Sequence, residues 1–114
     1  MNERFYPDCK FCQLCCHDDF PEALCTPLVF EDGRVIVVVD LHRRQYKERY
    51  LVVTKFGHYS QEELPQEEWD YMIGVAHALG RARVWRTKEK YEIDTAMEFP
   101  GHAHIQIGFS GGSL

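Results

Sequence analysis

Long apolar runs are missing from this sequence. None approaches the roughly 20 residues that a membrane-crossing helix needs. The opening Met1-Asn2-Glu3-Arg4-Phe5-Tyr6-Pro7 lacks the apolar centre of a signal peptide. No membrane association is expected, and the cytoplasm is the expected compartment. A basic excess is missing too. The net charge of -5 argues against broad, salt-driven binding to a nucleic-acid polymer, although a small phosphorylated ligand asks only for a local positive site. Repeats and low-complexity linkers are also absent. With 114 residues, 45% hydrophobic and 27% charged, the chain reads as one compact domain rather than a disordered segment. At that size it buries one core with little margin, so a metal staple would add stability.

Cysteine is absent beyond residue 25. Cys9, Cys12, Cys15, Cys16 and Cys25 all lie in the first quarter of the chain. In a reducing compartment such a cluster reads as metal ligands or reactive thiols before disulfides. Cys9-Lys10-Phe11-Cys12 has the spacing at which two thiolates chelate one zinc ion. Cys12-Gln13-Leu14-Cys15 has the same spacing, so the register is open. A tetrahedral site needs two more ligands, and the histidines available are His17, His42, His58, His77, His102 and His104. His77 falls in the middle of an expected helix and reads as a surface or packing residue. A zinc-ribbon reading lacks a second Cys-x-x-Cys beyond Cys25.

The rest of the chain alternates between strand and helix signals. Leu28-Val29-Phe30 and the stretch 34–40, continuously apolar from Val35 to Val39, flank an Asp32-Gly33 turn, which predicts a hairpin whose second strand is buried on both faces. Residues 50–54 predict a third strand. The basic residues between, Arg43, Arg44, Lys47 and Arg49, read as a solvated connection. Residues 60–65 open a helix: Pro65 suits its first turn, and Glu67, Glu68 and Asp70 suit its positive end. Trp69, Met72, Ile73, Ala76 and Leu79 form its apolar face, and it runs to about residue 83–86. Residues 91–97 alternate weakly, as an exposed strand does. Residues 102–108 alternate strictly and form the last strand, before a flexible tail at 111–114. The expected class is α+β, an antiparallel sheet with one long helix.

The last strand carries the chemistry. In His102-Ala103-His104-Ile105-Gln106-Ile107, alternate residues share a face. Two imidazoles and an amide project from one side, while Ala103, Ile105 and Ile107 are left for the helix. Such a stripe holds a metal or presents a nucleophile beside a hydrogen-bonding neighbour.

On these residues the sequence resembles the histidine-triad (HIT) superfamily, whose hallmark is three histidines alternating along the last strand. It especially resembles the HxHxQ branch, in which glutamine takes the third place. The resemblance spans most of the chain: residues 9–12, 35–40, 51–58 and 102–107. It implies one HIT-like domain over residues 1–114, with 1–26 as a cysteine-rich zinc segment and 27–114 as the core. It implies a structural Zn2+ held by Cys9, Cys12, His58 and His102. His104 would be the nucleophile toward an α-phosphate, Gln106 would stand where the third histidine usually stands, and Asp40 would bind ribose hydroxyls. The implied activity is hydrolysis or transfer of a nucleotidyl group from a nucleotide conjugate, through a covalent nucleotidyl-histidine. The alternative is a catalytically weak nucleotide-binding or zinc-stapled interaction module. A homodimer is also implied, and Trp69, Trp85 and Phe56 are candidates for apolar surface that a partner would cover. Gly101 and Gly108 are expected to let the backbone approach phosphate closely. The sequence departs from the family pattern at Gly108-Phe109, where Pro-Arg is common. It departs again at residues 94–99, where an asparagine and a Gly-Gln that help hold phosphate are usual.

Overall fold

The computed structural model describes residues 5–24, 26–41, 46–95 and 101–111. In chain order the elements are α1 (Lys10–Cys15), a 3-10 turn (Pro21–Ala23), β1 (Leu28–Glu31), β2 (Val35–Val39), β3 (Glu48–Thr54), α2 (Gln66–Thr87), β4 (Glu89–Asp94) and β5 (His104–Gly111). The strands form one sheet in the order β1-β2-β3-β5-β4, with every neighbouring pair antiparallel. Among the described residues no helix is long and apolar enough to cross a membrane.

Local chemistry explains the punctuation. Asp32 closes the first hairpin by accepting hydrogen bonds from the backbone N–H groups of Arg34 (2.7 Å) and Val35 (2.8 Å). Ser60 and Glu63 make a reciprocal capping pair. The Ser60 N–H donates to Glu63 Oε1 at 3.1 Å, and the Glu63 N–H donates to Ser60 Oγ at 3.3 Å. That pair closes a separate turn, so the long helix starts later than the sequence predicts, at Gln66, with Pro65 capping it from outside. Lys88 ends the helix in the left-handed region, φ 63°, and its N–H returns to the Val84 carbonyl.

The sheet is covered on both faces, and strand alternation decides what meets what. Val35, Val37, Val52, Ala103, Ile105, Ile107 and Phe109 face α2, where Met72 and Ala76 are fully buried. Ile36, Val38 and Val53 face the other way, against Phe11, Leu14, Cys9 and Cys12 of the N-terminal segment. β2 is therefore buried on both sides, as its unbroken apolar run implies. The cysteine-rich segment 1–26 contains α1 and the 3-10 turn. This helix of six residues is too short to stand alone and is held by what Phe11, Cys12 and Leu14 bury.

Several strand boundaries differ from expectation, among them the start of β3 at Glu48 and the end of β5 at Gly111. β4 runs from Glu89 to Asp94 instead of 91–97, of which residues 96 and 97 lie outside the described residues. β5 begins at His104, two residues later than predicted. His102 sits in the bend before it, and Ala103 is tied by its N–H to the Tyr59 carbonyl at 2.7 Å.

Candidate functional site

The late start of β5 frees His102 from the pleat, and its ring turns toward the N-terminal segment. His102 is completely buried. Its Nε2 lies 2.9 Å from the Thr54 carbonyl oxygen. A carbonyl only accepts, so Nε2 carries the proton and Nδ1 carries the lone pair. That lone pair faces two thiols, Cys12 Sγ at 3.3 Å and Cys9 Sγ at 3.7 Å. His58 Nδ1 is 3.4 Å from Cys12 Sγ. The ligand atoms of Cys9, Cys12, His58 and His102 all lie within 4.8 Å of one another. For metal–sulfur and metal–nitrogen bonds of zinc's length, the sulfur–nitrogen edge of a tetrahedron is about 3.6 Å. The observed separations fit one such ion. The Thr54 carbonyl would then supply the outer hydrogen bond that fixes the His102 imidazole.

Electrostatics supports the same reading. Burial pushes the Cys12 thiol up to about 12 and His102 down to about 4. A neutral imidazole is what a metal ligand needs. A buried thiol gives up its proton only when a cation takes the proton's place. Cys15 lies outside the group, with its Sγ 3.2 Å from the Thr54 carbonyl oxygen. The geometry thus favours Cys9 and Cys12 over Cys12 and Cys15. Gly101 makes room for the group: a Cβ there would come within 3.1 Å of His58 Nε2. The expectation that Gly101 admits phosphate is corrected accordingly.

His104 and Gln106 follow on the same sheet face, opposite Val53 and Leu51 of β3. His104 Nδ1 is 2.9 Å from the His102 carbonyl oxygen, so Nδ1 carries the proton and Nε2 carries the lone pair. Burial lowers the His104 pKa and the Lys10 ammonium opposes its protonation further, while Asp40 acts in the other direction. His104 is only 2% exposed, because the Phe11 ring lies 4.8 Å from its own. Phe11 also lines a cavity of about 290 Å³. Leu14, Val38 and Leu51 wall it, and its charged residues are Lys10, Glu22 and Asp40. That volume sits at the lower edge of small-molecule sites, roughly 300–1,000 Å³.

Asp40 lies just past β2, on the cavity wall. Its Oδ2 is 3.4 Å from Arg49 Nε, and both side chains are buried. Arg49 therefore does not belong to a solvated connection: it is part of β3 and faces Asp40. Lys47 is exposed and lies 3.9 Å from Glu89, while Arg43 and Arg44 lie outside the described residues. Gly108 does not open the strand to phosphate, because a Cβ there would sit 2.4 Å from the Tyr46 ring. Tyr46 covers it and donates its hydroxyl to Glu92 at 2.7 Å. Sequence reasoning missed Phe11 as the cover of His104, and the available signal was its place inside the Cys-x-x-Cys spacing. His77, expected to be a surface or packing residue, stays out of the site and hydrogen-bonds the Tyr91 hydroxyl at 3.0 Å.

No protein-family model matches the chain, and no curated protein is similar to it in sequence. Solved structures are similar in fold. A histidine triad protein from Clostridium difficile is 21% identical with a TM-score of 0.68, covering 96% of this chain and 95% of that one. A HIT family hydrolase from Legionella pneumophila is 17% identical with a TM-score of 0.69, covering 94% and 95%. A zinc-bound histidine triad family protein from Mycobacterium smegmatis is 17% identical with a TM-score of 0.70, covering 91% and 76%. With its five-stranded antiparallel sheet, single long helix and N-terminal cysteine–histidine group, this chain has the histidine-triad fold.

Proposed function

We propose that the protein is a nucleotide hydrolase or nucleotidyltransferase that works through His104, with a structural zinc held by Cys9, Cys12, His58 and His102. The observation that carries this reading is the pair of hydrogen bonds that give His102 and His104 opposite tautomers. One lone pair faces the thiols, and the other, on His104 Nε2, is left for chemistry. Zinc held by these four residues would cross-link the N-terminal segment to the sheet and act structurally. The nucleoside enters the cavity beside Asp40, whose carboxylate accepts from ribose hydroxyls. His104 Nε2 forms a bond to the α-phosphorus, and the phosphorus–oxygen bond to the leaving group breaks, its electron pair leaving with that oxygen. In hydrolysis, water then bonds to phosphorus, the phosphorus–nitrogen bond breaks, the lone pair returns to Nε2, and one proton goes to solvent. Gln106 does not titrate; it orients phosphate or imidazole.

A nucleotide-binding module without turnover is the second reading, and the cover of Phe11 over His104 favours it. Labelled dinucleoside polyphosphate or nucleotide sugar, quenched rapidly at high pH, separates the two. Catalysis predicts label on the protein and none on His104→Ala, with turnover reduced at least about a thousandfold. Equal turnover by wild type and His104→Ala sinks the assignment of His104. Binding with neither label nor turnover leaves the module.

A further inference from the structure

We infer that Lys10 is the cation that holds the ligand's phosphate next to His104. This rests on the nucleotide reading above. An imidazole that attacks an anionic phosphate, or merely neighbours one, needs positive charge at the phosphate oxygens. The strand that carries the motif has none: residues 101–111 include no lysine or arginine. Gln106 is neutral. Arg49 lies near, but it is buried and committed to Asp40 at 3.4 Å. The whole chain is acidic, so background charge does not help.

Lys10 meets the need. It lines the same cavity as Asp40, and its ammonium lies 5.3 Å from the Phe11 ring centroid. His104 approaches that same ring at 4.8 Å. Ammonium and imidazole therefore neighbour one aromatic side chain, with the cavity beside it. Among the described residues no carboxylate lies within ion-pair distance of Lys10. Its backbone is fixed, because Cys9 on one side and Cys12 two residues on belong to the metal-ligand group, and Gln13 N–H returns to the Cys9 carbonyl at 3.0 Å. The side chain itself is exposed and has four rotatable carbons of reach. A compact ammonium on a flexible stem suits phosphate as a point charge. The cavity then reads from Asp40 at the sugar end to Lys10 at the phosphate end, which selects a nucleoside phosphate over the bare nucleoside.

The test is a comparison of affinities by calorimetry on zinc-loaded protein. The four common ribonucleoside 5′-monophosphates and their parent nucleosides are the ligands, and wild type, Lys10→Ala and Lys10→Arg are the proteins. Metal content and circular dichroism confirm that the variants stay folded. The expected result is a loss of about ten- to a hundredfold in monophosphate affinity for Lys10→Ala, unchanged nucleoside affinity, and recovery of most of the loss in Lys10→Arg. A wild type that binds monophosphate, with Lys10→Ala binding it equally well, overturns the role of Lys10 alone. Equal losses for monophosphate and nucleoside also overturn it, because Lys10 then only supports the wall. A wild type that binds neither ligand overturns the nucleotide reading itself, and the role of Lys10 with it.

Discussion

Two residues apart, His102 and His104 hold their protons on opposite ring nitrogens, and single backbone carbonyls decide it. The Thr54 carbonyl takes the Nε2 proton of one, and the His102 carbonyl takes the Nδ1 proton of the other. Substitutions near them should therefore separate cleanly. Cys12→Ala should bind far less zinc and melt more than about 10 °C lower, since structural zinc contributes directly to folding free energy. Cys15→Ala should keep its zinc, because its thiol faces the Thr54 carbonyl instead of the ligand group. Metal analysis and a melting curve on both variants check this, and zinc loss in Cys15→Ala with retention in a Cys9 variant would reverse the register. Phe11→Ala should uncover His104. Mass spectrometry after histidine acylation should then find His104 modified much faster than in wild type, with His102 still protected. Gly80 makes a different point. A Cβ there would sit 2.4 Å from the Tyr91 ring, so Gly80→Ala should cost about 1–3 kcal/mol despite its higher helix propensity.

Elements are joined by a few charged contacts, and Arg83 makes the densest set. From α2 it donates to Glu89 of β4 at 2.8 Å and to Glu48 and the Tyr50 hydroxyl of β3, and it stacks 4.5 Å from the Phe109 ring of β5. Its hydrogen bond holds the Glu89 carboxyl below the usual glutamate range, against the opposing effect of burial. A lowered folded pKa gives stability that is present above the ordinary value of about 4.3 and is lost as pH falls through the lower folded one. Arg83→Met should cost about 2–4 kcal/mol at neutral pH, because it leaves Glu89 buried without its partner. The deficit should shrink in acid, and urea melts at pH 7 and pH 3 would show whether it does. Much of this element layout was legible in the sequence. The unbroken apolar run of β2, the helical spacing from Trp69 to Leu79 and the alternation after His104 are local patterns, and they survive in the fold. What was hidden depends on distant partners. The α1 helix exists because the sheet buries Phe11 and Leu14. The start of β5 is set by a hydrogen bond to Tyr59. Arg49 looked like one of a run of surface cations until Asp40 faced it. The four residues of the metal-ligand group were named from a resemblance, and no spacing rule joins residue 12 to residues 58 and 102.

At the scale of the whole molecule, one sheet is covered by α2 on one face and by the cysteine-bearing segment on the other, which leaves the outer side of α2 uncovered. There Trp85 is 84% exposed, the most exposed large hydrophobic side chain described. Gly74, Ala78 and Ala82 are exposed on the same helix, and nothing lies within 4 Å of a Cβ built on Gly74. Small residues beside an exposed tryptophan allow a second helix to approach closely. The sheet edge at β4 competes for the same role, since β4 is one of the two terminal strands in the order. But Glu89, Lys90, Glu92 and Asp94 make up four of its six residues, and charged edge strands resist pairing with another edge. If two copies associate, as we propose, α2 is therefore the expected contact. Sedimentation at micromolar concentration should give a dimer for wild type and a monomer for Trp85→Arg. Trp85→Arg should keep its zinc and its melting midpoint at low protein concentration, because the side chain it replaces is solvent-exposed. A wild-type monomer at high micromolar concentration counts against association altogether. A Trp85→Arg dimer moves the contact from the helix to the sheet edge, where Ile93→Lys becomes the next variant to sediment.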